Sequence, residues 1–327
     1  MDSLNIIIPT YNRIYNLSNL IKQFTDKKWK TLFKFSEKIN IYILNDFEEK
    51  LPIDLYQEDI NKINQIGFEV IIKNNKKNRG HGINFATHMR TILKNHPGFF
   101  ITIGDDDLLI VDEFLIFLKD FYQSKAQIGI AGFLQDGKNH NLIKEKKIIR
   151  DKEKAINKYA NFGKGTGIIM RLPTESDQTK VENTFLGCMY EDKVYGCLNL
   201  MRNPKLFIYP KVVAKHAGSE NFLIPYSFRV YLNLDLIRFV FKSEKRLEKF
   251  LKNKNNIDLI FQIKQKIKLI KMLLIALKNN IFTTKVRYTS IEILYGDLLY
   301  FIKHIFVINS YPWQTTYYLR KTKHRNH

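Results

Sequence analysis

Three consecutive aspartates, Asp105, Asp106 and Asp107, follow the apolar run Phe99–Ile103 and a single glycine. Three carboxylates side by side repel one another unless a cation neutralises them. Hard divalent ions such as Mg2+ and Mn2+ take carboxylate oxygens, and Mg2+ commonly completes its shell with water and substrate phosphate oxygens. A cation held there neutralises charge on a departing diphosphate and acts as a Lewis acid. The competing reading is local: an aspartate at the start of the helix-patterned segment LLIVDEFLIFLKDF favours the helix dipole. That explains one carboxylate, not three in a row. The glycine-rich run Gly163–Gly167 lacks the full phosphate-loop pattern and a preceding strand, so it reads as a flexible turn before the strand IIMRL.

Such groups act only if the chain brings them together. Asn5–Pro9, Ile39–Leu44, Phe68–Ile72 and Phe99–Ile103 are short apolar runs that read as buried parallel strands. Helical spacing covers Leu17–Phe24 and Ile83–Lys94 between them. This alternation predicts an α/β fold, an open and mostly parallel sheet with helices on both faces. Ligands in such sheets sit beyond the carboxyl ends of the strands, where Thr10–Arg13, Asn45–Asp46 and Asp105–Asp107 would converge. From Pro225 the pattern becomes helical and almost free of Gly and Pro, with eleven Lys or Arg against three Asp or Glu between Lys242 and Lys278. The expected organisation is residues 1–224 as the α/β domain and 225–327 as a basic helical subdomain.

The apolar fraction of 45%, with 24 Phe and 17 Tyr, is enough for a sizeable core and argues against disorder. A formal net charge of +21 favours anionic partners: nucleic acid, an anionic bilayer or phosphorylated substrates. Heavy use of Lys together with Asn and Ile is the plainer source of the same charge. Cys188 and Cys197 have no ligand or CxxC spacing, which excludes a disulfide framework and a zinc ribbon and fits a reducing cytosol. The opening MDSLNIIIPTYNR enters a strand at once, so no signal peptide is expected. No run of about 18 apolar residues suggests a membrane span. The Lys-rich helical tail, with Leu, Ile and Phe on its other face, suits the surface of an anionic membrane. The alternative is that its apolar face packs on the core. No recognised nucleic-acid motif is present.

The segments NIIIPTYNR, ILNDFEE, NRGHGINF and FFITIGDDDLL, taken in that order, resemble family 2 glycosyltransferases with a GT-A fold, over about the first 220 residues. GDDDLL, with the preceding NRG and Asn84, is similar to the branch that includes O-antigen dideoxyhexose transferases. The resemblance implies that Pro9, Thr10, Tyr11 and Arg13 border the nucleotide, that Asp46 recognises its base, and that Arg79 also belongs to the nucleotide site. It implies that Asp105 and Asp106 serve ribose and the metal–diphosphate. The family pattern has Asp where Gly104 stands, which leaves Asp106 or Asp107 as the metal ligand, with Mn2+ or Mg2+ as the ion. His216 resembles a late histidine that approaches the metal or diphosphate.

Glu191-Asp192 lies where the family carries an acceptor-side acidic pair. An inverting transfer needs a carboxylate to deprotonate the acceptor hydroxyl, a contribution of about 10²–10⁴ in rate. Asp192 is the expected base and Glu191 the alternative; the plain reading is an exposed acidic pair opening a helix. The sequence departs from the family at Asn45, which replaces the first of two paired aspartates, and at Asn84-Phe85-Ala86, which replaces Ala-Arg-Asn. UDP- and dTDP-sugars both stay open as donors. The resemblance implies an inverting transfer to a glycan or lipid-linked glycan in capsule or lipopolysaccharide synthesis, at the inner face of the cytoplasmic membrane. A metal-dependent nucleotidyltransferase, a phosphohydrolase and a basic nucleic-acid-binding protein are the rival readings.

Overall fold

The computed structural model describes residues 2–11, 13–47, 49–76, 81–135, 138–140, 145–161, 166–185, 191–216, 228–253 and 257–282. Strand β1 (Ser3–Thr10) shows no apolar alternation because both its faces are covered, and Leu4, Ile6, Ile7 and Ile8 are fully buried. Helix α1 (Ile14–Gln23) leads to β2 (Ile39–Asn45), which is buried throughout and pairs in parallel with β1, Thr10 opposite Asn45. Helix α2 (Gln57–Ile66) precedes β3 (Glu69–Asn74), whose Asn74 lies opposite Asn45. Helix α3 (His81–Asn95) then leads to β4 (Gly98–Thr102), parallel to β1 on its other side. Gly98 has φ +146°, and a Cβ there would lie 2.1 Å from Ser3 O, so only glycine fits this approach.

The second half of the sheet is mixed. It comprises β5 (Asp107–Leu109), α4 (Val111–Ser124), β6 (Ile128–Gln135), β7 (Lys138–His140), β8 (Lys147–Ile149), α5 (Lys152–Asn161), β9 (Ile168–Arg171), α6 (Glu175–Lys180), α7 (Glu191–Arg202) and β10 (Leu206–His216). The strand order is β3-β2-β1-β4-β9-β6-β10-β5, with β7 beside β6 and β8 beside β10. The parallel block β3-β2-β1-β4 is the one the strand–helix alternation predicts. Beyond it β9 runs antiparallel to β4 and β6, and β5 antiparallel to β10. Trp29 anchors the core beneath α1 and α4, 5.0 Å from the Phe24 ring and 6.0 Å from that of Phe114.

The chain forms two compact units, Met1–Thr179 with Tyr195–Ser219, and Lys180–Val194 with Glu220–His327. The division falls inside α7. In the second unit, α8 (Phe228–Val240), α9 (Glu244–Lys252) and α10 (Leu259–Phe282) carry the basic helical sequence. Phe185 packs against Phe241 and Phe250 at 5.8 and 5.7 Å. The helical pattern that runs through residue 243 is interrupted there because the Ser243 hydroxyl accepts from the Arg246 amide and caps α9. No helix among the described residues is long and apolar enough to cross a membrane.

Candidate active site

The carboxyl ends of β1 and β2 and the residues just after β3 and β4 present a continuous polar rim. Asn45 at the end of β2 donates through Nδ2 to Glu49 O at 2.8 Å and to Asn74 Oδ1 at 2.9 Å, and accepts from the Phe47 amide at 3.1 Å. A carboxylate cannot make those two donations, which is the physical reason an asparagine suits this position. Asp46 follows. Its amide donates to Thr10 O at 3.0 Å and its buried carboxylate accepts from Asn75 Nδ2 at 2.9 Å. Asn75 Nδ2 also donates to Asn84 Oδ1 at 2.8 Å, and Asn84 donates to Leu44 O at 3.2 Å. His88 Nε2 stands 3.3 Å from Asn75 Oδ1. The rings of Tyr11 and Phe47 meet edge to face at 5.3 Å beside Asp46 in sequence and Pro9–Thr10 at the strand end.

The three aspartates divide their tasks. Asp105 turns toward β1, accepting from Thr10 Oγ1 at 2.7 Å and from Arg13 Nη1 at 2.9 Å. Burial pushes its carboxyl up to about 6, against the pull of the Arg13 charge and the Thr10 hydroxyl. Asp106 also accepts from Arg13 Nη1, at 2.6 Å. Asp107 turns the other way, accepting from the Gly104 amide at 3.0 Å and from the Thr166 hydroxyl. A Cβ on Gly104 would lie 2.8 Å from Asp107 Oδ2 and 3.1 Å from Asp106 Oδ1. A side chain at 104 would push the ends of these two carboxylates aside.

His216, the last residue of β10, lies opposite Asp107 in the antiparallel β5–β10 pairing. Its Nδ1 is 3.0 Å from Asp107 Oδ1 and 3.5 Å from Asp106 Oδ1. The hydrogen bond with Asp107 raises the imidazole above its usual range, burial opposes this, and the Asp106 charge adds to it. Asp106, Asp107 and His216 each offer one ligand atom, all within 4.8 Å of one another. Two carboxylates and an imidazole fit a divalent ion, with the nitrogen favouring Mn2+ over Mg2+. The fold thus gathers Thr10, Arg13, Asp105, Asp106, Asp107 and His216 at one place, while Asp46 sits one strand over in the asparagine network.

Glu191 and Asp192 belong to the second unit and open α7; Glu191 is buried and Asp192 half-buried. Arg79 lies outside the described residues. Sequence reading missed Thr166, which it left in a flexible turn, and Asn75, which it did not single out. The one local signal for Thr166 was a hydroxyl directly ahead of an apolar strand.

The mostly parallel sheet with its helices is a mixed α/β fold of the GT-A type. No family model matches the chain, and no curated protein does. Among solved structures it is similar to S. aureus TarS residues 1–349, with 12% identity, a TM-score of 0.51, and 84% of this chain and 80% of that one covered. The same fragment in complex with UDP-GlcNAc matches at 14% identity and a TM-score of 0.53, covering 93% and 81%.

Proposed function

We propose that this chain is a glycosyltransferase that moves a sugar from a UDP- or dTDP-sugar to a glycan or lipid-linked glycan, with inversion, in the synthesis of a bacterial capsule or lipopolysaccharide. The observation that carries the reading is the Asp106–Asp107–His216 cluster at the sheet rim, beside Asp46 and its asparagines. The fold it sits on is shared with a protein crystallised with UDP-GlcNAc. Residues 1–224 form the catalytic domain and 225–327 a basic subdomain that keeps the enzyme peripheral at the inner face of the cytoplasmic membrane.

Each site residue has a distinct task. Asp46, oriented by Asn75, accepts from the N3–H of uracil or thymine, and Tyr11 and Pro9 border the base. Thr10 and Arg13 hold the Asp105 carboxylate, which binds the ribose; Arg79 also serves the nucleotide. Asp106, Asp107 and His216 would ligate Mn2+ or Mg2+, with Thr166 and the Gly104 amide fixing Asp107. The ion, when bound, neutralises charge that gathers on the departing diphosphate. Asp192, or Glu191 in its place, removes the acceptor hydroxyl proton while that oxygen bonds to the anomeric carbon and the bond to the diphosphate oxygen breaks. The test is incubation with UDP- and dTDP-sugars with and without Mn2+. Nucleoside diphosphate release that depends on Mn2+ is expected. No release, with salt-sensitive filter binding to DNA or RNA instead, would transfer the protein to the nucleic-acid class.

A further inference from the structure

Helix α10 is turned against its own amphipathic pattern. Gln262 and Gln265 are buried, and Gln265 Oε1 has no hydrogen-bond partner among the described residues. Two neighbouring positions on the helix meet α8: Phe261 stacks on Phe239 at 4.2 Å, and Lys268 pairs with Asp235. The other side presents Leu259, Ile260, Ile263, Ile267 and Leu274, which are between 47% and 64% exposed. At about 100° of rotation per residue, these five share one arc of about 100°. Exposed Lys264 and Lys271 run along one edge of that arc.

A helix serving only an aqueous surface would place the glutamines outward and the isoleucines inward. We infer that α10 lies in the interface of an anionic lipid bilayer, its five exposed apolar side chains entering the acyl boundary and Lys264 and Lys271 meeting headgroup phosphates. Charge decides between occupants. An antiparallel pairing with a second copy would set the same lysine edges side by side, whereas an anionic surface is complementary to both the apolar stripe and its lysine border, in a chain of net charge +21. The helix lacks the apolar length to span, so it lies on the membrane.

This assigns the surface behind the peripheral placement proposed above. The assay uses neither donor nor acceptor, so a failure of sugar transfer leaves it standing. Full-length protein is co-sedimented with vesicles of phosphatidylcholine alone and of phosphatidylcholine with phosphatidylglycerol. Binding is expected only to the anionic vesicles, weakened about fivefold for each lysine removed in K264A/K271A. I263D/I267D, checked for unchanged circular dichroism, is expected to lose at least about tenfold. Wild-type levels of binding in both variants would overturn the inference, as would absence of binding by the wild type. Lipid-independent oligomers in analytical ultracentrifugation that I263D/I267D dissolves would assign the face to a second copy and equally overturn it.

Discussion

Asp105 links the site to pH in a way that is open to direct measurement. Its folded-state carboxyl titrates at about 6, above the ordinary 3.8, because burial disfavours its charge. The folded metal-free protein therefore holds this proton more tightly than the unfolded chain does. The associated stability is fully present below about pH 3.8 and is lost as pH rises through about 6. Urea unfolding of metal-free protein across that window is expected to show the decline, and D105N to remove it; an identical pH dependence in both proteins would refute the assignment. Asp192 is tested differently: D192N is expected to lower kcat by about 10²–10⁴ with nucleotide affinity nearly unchanged. A loss of nucleotide binding would reassign that residue. At this scale the sequence was legible where charge is concentrated. Clustered aspartates mark a candidate cation site by their repulsion, whereas Thr166 and Asn75 act through hydrogen bonds that only the fold brings within reach.

The elements explain why distant residues meet. Pairing of β5 with β10 sets His216 opposite Asp107 across 109 positions of sequence, and β9 delivers Thr166 from just before its first residue. Strands β1, β2 and β4 were readable because doubly covered strands are continuously apolar, whereas β3, expected as a buried strand, is a partly exposed edge strand. Strand β9 was readable as the apolar run IIMRL, but nothing in it signals antiparallel pairing with β4 and β6, and β5, of 3 residues, is too short to show a period. T166V is expected to destabilise the fold by about 1 kcal/mol and to weaken Mn2+ binding, because Asp107 loses a donor. Unchanged Mn2+ affinity in titration would count against its supporting role. G98A is expected to cost about 1–3 kcal/mol from backbone conformation, with the Ser3 contact adding to this, and denaturant unfolding measures it.

The whole molecule combines an acid-rimmed sheet with a helical tail in a chain of net charge +21. The change in sequence character at residue 225 was plain, but the packing of Phe185 against Phe241 and Phe250 was not, since no pattern links a residue before the tail to helices within it. Truncation after residue 224 is therefore expected to uncover Phe185 and lower the melting temperature; an unchanged melting temperature would show that the tail is dispensable for the fold. The central claim is that the Asp106–Asp107–His216 cluster grips a cation that in turn grips a nucleotide's diphosphate. Titration calorimetry of UDP and dTDP into wild type and D106N/D107N, each with Mn2+ and with chelator, tests it most directly. Binding by the wild type that strengthens at least about tenfold with Mn2+, and a variant indifferent to the ion, are expected from a carboxylate-held metal bridging to phosphate. Equal affinity in Mn2+ and in chelator for the wild type would contradict it.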